Sequence, residues 1–178
     1  MKKLLFFVAC FVACCSVNAQ AIERGYRGFV NVSYVGGNDG VYVDWNHNGF
    51  AINTVHGYQF NDNVFFGFGV QYNYHTFEHF ERGYSLPLFA DVRFDFSSGK
   101  VTPFIEAKVG YSVADYDGFY ASPAFGIRMA TNSKLAFNLS LAYSAQRFEY
   151  RKYYSALRYW NTGKGCLHDL NITFGVEF

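Results

Sequence analysis

After Gly25, polar and apolar residues alternate with a period of two, and turn residues punctuate the alternation. From Val64 to Thr76, the residues Val64, Phe66, Phe68, Val70, Tyr72 and Tyr74 share one face, and Phe65, Gly67, Gly69, Gln71 and Asn73 share the other. From Leu86 to Phe96, apolar Leu88, Ala90, Val92 and Phe94 alternate with Phe89, Asp91, Arg93 and Asp95. The same pattern runs through Pro103 to Val113, Ala121 to Met129, Leu135 to Tyr143 and Leu170 to Phe178. Two weaker segments come first, Tyr26 to Tyr34 and Phe50 to Gln59. Together they predict eight strands, most with about 9–11 alternating residues, the length that a tilted membrane strand needs.

The charges fall on one face. Arg27, Asp91, Arg93, Asp95, Glu106, Lys108, Arg128, Asp169 and Glu177 all take the polar parity, and no charge takes the apolar one within these segments. A soluble sheet can alternate in the same way. Three features favour a barrel with a polar interior. Its charges nearly balance and can pair in a narrow lumen, small residues share the polar face, and Tyr34, Tyr72, Tyr74, Tyr111 and Tyr143 lie near strand ends, where amphipathic rings meet headgroups.

The connections alternate in length. Short turns are expected at Gln59–Asn63, Ser97–Lys100 and Thr131–Lys134. The other connections span Gly36–Gly49, His75–Ser85, Ala114–Phe119 and Phe148–Leu167, and three of these are long. All three prolines (Pro87, Pro103 and Pro123) are expected near strand ends, where a missing N–H matters least. The expected fold is therefore all-β: an eight-stranded antiparallel transmembrane β-barrel, an up-and-down meander.

The N-terminus reads as an export signal. Lys2 and Lys3 precede an apolar run from Leu4 to Cys15, and Val17-Asn18-Ala19 offers a small-residue cleavage site. Residues 1–19 are expected to be removed, leaving residues 20–178 as a single barrel domain. Of the four cysteines, only Cys166 lies outside that signal, in a loop-like Gly163-Lys164-Gly165-Cys166 setting, so no internal disulfide is expected. Composition adds exclusions. The chain is 51% hydrophobic and 21% aromatic but only 16% charged, against about 25% charged in ordinary soluble domains. That abundance of apolar residues argues against disorder. Beyond the signal no apolar run approaches the roughly 20 residues of a spanning helix.

The segments Gly67-Phe68-Gly69-Val70-Gln71-Tyr72-Asn73-Tyr74, Leu86 to Phe94, Thr102 to Tyr111 and the closing Phe174-Gly175-Val176-Glu177-Phe178 carry a resemblance. The chain resembles the small outer-membrane β-barrel domain family of OmpA/OmpX-like type, over essentially all of residues 20–178. The resemblance implies outer-membrane localisation with both termini periplasmic, and a barrel without a peptidoglycan-binding domain. It also implies recognition by the outer-membrane assembly machinery through the closing strand and its terminal Phe178. It is specific for architecture and weak for activity, since such barrels include adhesins and membrane tethers.

Candidate chemistry is sparse. His75-Thr76-Phe77-Glu78-His79 spells H-x-x-E-H, a metal motif that works on a helix. Here it follows a strand and reads as a hairpin loop, leaving His75, Glu78 and His79 as a weak metal candidate. A lipid-modifying barrel enzyme would need a Ser/His/acid cluster at one rim. His168 and Asp169 are neighbours and face opposite ways, His47 lies near Asp44, and Ser155 sits in the last loop. No catalytic residue and no cofactor is expected. The last outer loop interleaves cations with aromatics: Arg151, Lys152, Tyr153, Tyr154, Arg158, Tyr159 and Trp160. It is the candidate interaction surface, suited to lipopolysaccharide phosphates or an extracellular ligand, and not to nucleic acid. The expected function is a non-catalytic structural or adhesin-like barrel. Two rivals are an outer-membrane lipid-modifying enzyme and a soluble lipocalin-like barrel with its aromatic face turned inward.

Overall fold

The computed structural model describes residues 24–38, 46–77, 83–131, 135–154 and 159–178, with residues 38, 46, 77, 149–154 and 159–162 described by backbone alone. The export-signal reading of residues 1–19 lies outside the described residues.

Eight strands form: β1 (Gly25–Asn38), β2 (Asn46–Gln59), β3 (Val64–Phe77), β4 (Gly83–Asp95), β5 (Val101–Ala114), β6 (Gly118–Ala130), β7 (Ala136–Tyr154) and β8 (Tyr159–Glu177). Each pairs antiparallel with its sequence neighbours, and β1 closes on β8 from Phe29↔Glu177 to Asn38↔His168. Closure removes the free edges of the barrel wall, where strands find partners on both sides; β7 beyond Gln146 and β8 before His168 run on paired with each other. The expected up-and-down barrel is what forms.

The period of two decides which way each side chain points. In β4 the burial alternates strictly, with Phe89, Asp91, Arg93 and Asp95 inside and Leu88, Val92 and Phe94 outside. The charges of the polar face therefore point into the barrel and the aromatics of the apolar face point out, the reverse of what a lipocalin-like ligand carrier requires. Outside, an apolar belt carries Val30, Ile52, Phe68, Val109, Phe125 and Ile172 around its middle. Tyr26, Tyr58, Phe96 and Phe178 ring the end that holds the chain termini. Tyr34, Tyr72, Tyr84, Tyr111 and Tyr143 ring the opposite, distal end.

The turns at the terminal end are tight. Asn61 shows how: its Oδ1 accepts from the backbone N–H groups of Asn63 (2.9 Å) and Val64 (2.8 Å), an Asx-type turn joining β2 to β3. At the distal end the sequence expectation needs correction. The strands run on into segments read as loops, leaving connections of only 39–45, 78–82, 115–117 and 155–158. Beyond the apolar belt the outward positions turn polar, as at Asn48, Thr76 and Arg147, while inward ones such as His47, His75 and Leu167 stay buried, so the apolar–polar alternation fades while the backbone ladder continues. The Phe148–Leu167 segment is accordingly a β7–β8 hairpin paired out to Tyr154↔Tyr159. His75 and Cys166 likewise belong to strands β3 and β8.

The prolines need a second correction. Pro87 and Pro123 lie well inside β4 and β6. The missing N–H shows as a gap in the paired register: β3–β4 pairing skips Gln71 and Tyr72, and β6–β7 pairing skips Ser122 and Pro123. Each proline still pairs on its other flank, with Ser112 and Ala107 respectively, so the barrel tolerates both.

Candidate functional site

The lumen is layered. Nearest the terminal end, three arginines converge on two carboxylates. Arg128 grips Glu177 bidentately, with Nε at 2.9 Å from Oε2 and Nη2 at 2.9 Å from Oε1. Arg27 Nη2 forms an ion pair with the same Glu177 Oε2 at 2.9 Å, and its Nη1 donates to Asp95 Oδ2 at 3.0 Å and to Gln59. Arg93 Nε donates to Asp95 Oδ1 at 2.9 Å, its Nη2 donates to Asn138 at 3.0 Å, and its guanidinium lies 3.5 Å from the Phe104 ring centre. Planar guanidinium forks suit this shared geometry in a way that lysines would not.

The middle layer mixes aromatics with charge, and Phe29, Phe65 and Phe89 stand there on the same parity as the charges. Phe29, Val55, Phe65, Phe89 and Tyr120 form a buried apolar cluster. Beside it Lys108 Nζ sits 3.2 Å from Glu106 Oε2, and Asp91 lies directly across the ladder from Lys108. Side chains thus fill the bore, as expected for eight strands.

The distal layer holds the constellation that sequence reasoning missed. His47, His75 and Asp169 project inward from β2, β3 and β8, and all three are buried. His47 Nε2 donates to Asp169 Oδ1 at 2.6 Å. The His47 and His75 rings meet edge to face at 5.0 Å between centres. Gly37 on β1 pairs with His47 on one flank and Asp169 on the other. A β-carbon there would collide with the Asp169 carboxylate and the His168 carbonyl, so the missing side chain lets imidazole and carboxylate meet across β1. Gly49 is the ladder partner of His75, and a β-carbon there would collide with the Tyr74 carbonyl of the neighbouring strand. Asp169 is held from behind: Ser144 Oγ donates to its Oδ2 at 3.3 Å, and Asn171 Nδ2 donates to Ser144 at 2.9 Å. Tyr116, in the 115–117 connection, closes the layer. Its ring lies 6.1 Å from that of His75 and 5.4 Å from that of Phe148, and Gln146 Nε2 donates to its carbonyl at 2.6 Å. Ala114, at φ 85°, makes the left-handed reversal that opens this connection.

Two imidazoles and a carboxylate are metal-ligand types, and one donor atom from each lies within 4.8 Å of the others. As a hydrolytic triad the cluster is wired the wrong way. The serine hydroxyl donates to the carboxylate, whereas an activated nucleophile donates to the imidazole.

No protein-family model matches the chain, and no curated protein matches it in sequence. Solved structures do match. The crystal structure of Neisserial surface protein A superposes with a TM-score of 0.62 at 14% identity, over 86% of this chain and 96% of that one. The outer membrane protein OprG from Pseudomonas aeruginosa gives 0.63 at 12% identity, over 90% and 99%. The outer membrane protein AlkL, solved in DMPC bilayers, gives 0.54 at 12% identity, over 92% and 94%. The fold is that of the small outer-membrane β-barrels.

Within this outer-membrane-type barrel the nine sequence-identified charges all point inward, but in separate groups. Arg27, Arg93, Asp95, Arg128 and Glu177 form one cluster, Asp91, Glu106 and Lys108 a second, and Asp169 joins His47 far from both. Of the H-x-x-E-H stretch, His75 is a buried strand residue, while Glu78 and His79 lie outside the described residues, as do Asp44 and Ser155. In the cation–aromatic segment Arg151, Lys152, Tyr153 and Tyr154 belong to β7, and Tyr159 and Trp160 to β8, while Arg158 lies outside the described residues. Phe178 exchanges backbone hydrogen bonds with Gly28 (2.8 and 2.9 Å), and its ring covers that glycine on the outer face. His56 is an outward residue, as its parity implied, with Nδ1 at 2.5 Å from the Tyr26 hydroxyl.

Proposed function

We propose that this chain is a non-catalytic integral outer-membrane barrel whose distal end faces the outside and acts as an interaction surface. One observation carries the reading: a continuous apolar, tyrosine-ringed exterior encloses a bore filled by paired charges and aromatic rings. Such an exterior fits lipid, and such a bore is unsuited to general diffusion. The distal end carries the longest strands, β7 and β8, and their hairpin holds the cation–aromatic segment. Exposed Arg147 and Lys164 line a groove of about 440 Å³ with Tyr111 and Phe119 at the distal rim. Cations beside aromatics at that height suit the phosphates of lipopolysaccharide. The closing strand, with Phe178 outermost, is the segment offered to the assembly machinery.

Trypsin added to intact cells tests the orientation. Cleavage within the β7–β8 hairpin, at Arg151, Lys152 or Arg158, with the barrel core left intact, is expected. Protection in intact cells with cleavage only after the outer membrane is opened would reverse the proposed orientation. The phosphate contact is tested with lipopolysaccharide in mixed micelles: an Arg147→Glu, Lys164→Glu double variant is expected to lose binding, and unchanged binding would remove that partner.

A further inference from the structure

We propose that His47, His75 and Asp169 form a binding site for one late first-row divalent metal ion, with zinc the best match, at the distal mouth of the barrel. The three residues come from three strands, β2, β3 and β8, and are distant in sequence. They converge only because the ladder register places Gly37 between His47 and Asp169, and Gly49 beside His75. Their donor atoms lie within 4.8 Å of one another. Around a four-coordinate zinc, with metal–ligand bonds of about 2.0–2.1 Å, ligand atoms stand about 3.3 Å apart. Small side-chain rotations reach that spacing, with no change of strand register.

The donor set selects the ion. Two imidazoles disfavour calcium and magnesium, which take oxygen, and the lack of a thiolate disfavours copper(I). The carboxylate is already oriented: Ser144, itself held by Asn171, occupies Asp169 Oδ2 and leaves Oδ1 for the ion. At present Oδ1 accepts the His47 Nε2 proton. On binding, His47 turns to the tautomer with its proton on Nδ1, the Nε2 proton being exchanged through solvent, and the ion takes the vacated place between Nε2 and Oδ1. A water completes the fourth position. The ion would tie β2, β3 and β8 together beneath Tyr116.

The test uses tag-free, folded barrel in detergent micelles, stripped with chelator and titrated with zinc chloride by calorimetry. One saturable site per chain is expected. Binding should be lost in His75→Gln and in Asp169→Asn, and kept in His56→Gln and His168→Gln, whose rings lie outside the lumen. Cobalt(II) gives a second readout: intense visible absorption marks four-coordination, weak absorption a hydrated octahedral ion. The temperature at which the unboiled gel form is lost should rise with zinc and fall back with chelator. Folding of each variant is checked by that same gel shift. If the lumen variants do not fold, X-ray absorption of the zinc-loaded wild-type barrel decides, with two imidazoles and a carboxylate expected. Absence of saturable binding by folded wild type, binding unchanged in His75→Gln, or a shell of water alone would each overturn the proposal.

Discussion

Glu177 shows what a single residue does in this barrel. It pairs with both Arg27 and Arg128, and all three are buried. Removing its charge leaves two guanidiniums without that partner in a low-dielectric bore, a change that costs about 3–5 kcal/mol in comparable buried pairs. Glu177→Gln is therefore expected to lower stability by about that amount in urea unfolding from micelles. Pairing it with Arg128→Met should recover part of the loss, because one stranded charge goes with it. An equal or greater loss in the double variant would contradict the pairing. The inward direction of these charges was legible in the sequence, since parity puts them on one face and their balance, their small neighbours and the tyrosines of the other face favour that face as the interior. Their grouping was not, because Arg27, Asp95 and Glu177 meet only through the closure of β1 on β8 and the bore-spanning reach of arginine. The His47–Asp169 contact was hidden for the same reason. Its one local trace is Gly37, a residue without a side chain that pairs with both partners, and that trace acquires meaning only when the register is known.

At the level of elements, the eight strands were readable wherever one face met the apolar exterior and the other the packed bore. Alternation reported two environments, and it faded where the outward residues became polar as well, as at Asn48, Thr76 and Arg147. The distal ends of β1, β2, β3, β7 and β8 were therefore read as loop, though their backbones stay paired. The β7–β8 hairpin is the clearest case, with 19 residues in each strand against 13 or 14 in the others. Amide exchange of the folded barrel should show protected N–H groups alternating through Arg151–Tyr154 and Tyr159–Thr162. Uniformly fast exchange there would return the segment to a loop. Because this hairpin lies beyond the belt, replacing residues 151–162 by a two-residue Asn-Gly turn, which joins the paired Tyr150 and Gly163, is expected to preserve the gel shift. Loss of the folded form would mean that the hairpin supports the barrel itself. The prolines of β4 and β6 escaped recognition as interior residues because each interrupts only one flank of its strand.

For the whole molecule, closure and filling act together. The barrel satisfies its backbone internally, presents apolar side chains outward and occupies its bore with Arg93, Phe65 and Tyr120, each nearly inaccessible to solvent. In planar bilayers it should therefore insert without persistent conductance steps; stable channels would show a bore wider than these side chains allow. The aromatic face is expected to meet lipid, and refolding shows whether it does. Urea-denatured chain is diluted into buffer with or without phosphatidylcholine vesicles, then floated and run unboiled and boiled on a denaturing gel. The structure requires that the chain float with the vesicles, show a heat-sensitive shift only in their presence, and aggregate in their absence. A soluble, folded monomer without lipid would mean that the apolar face is turned inward, and would contradict the account.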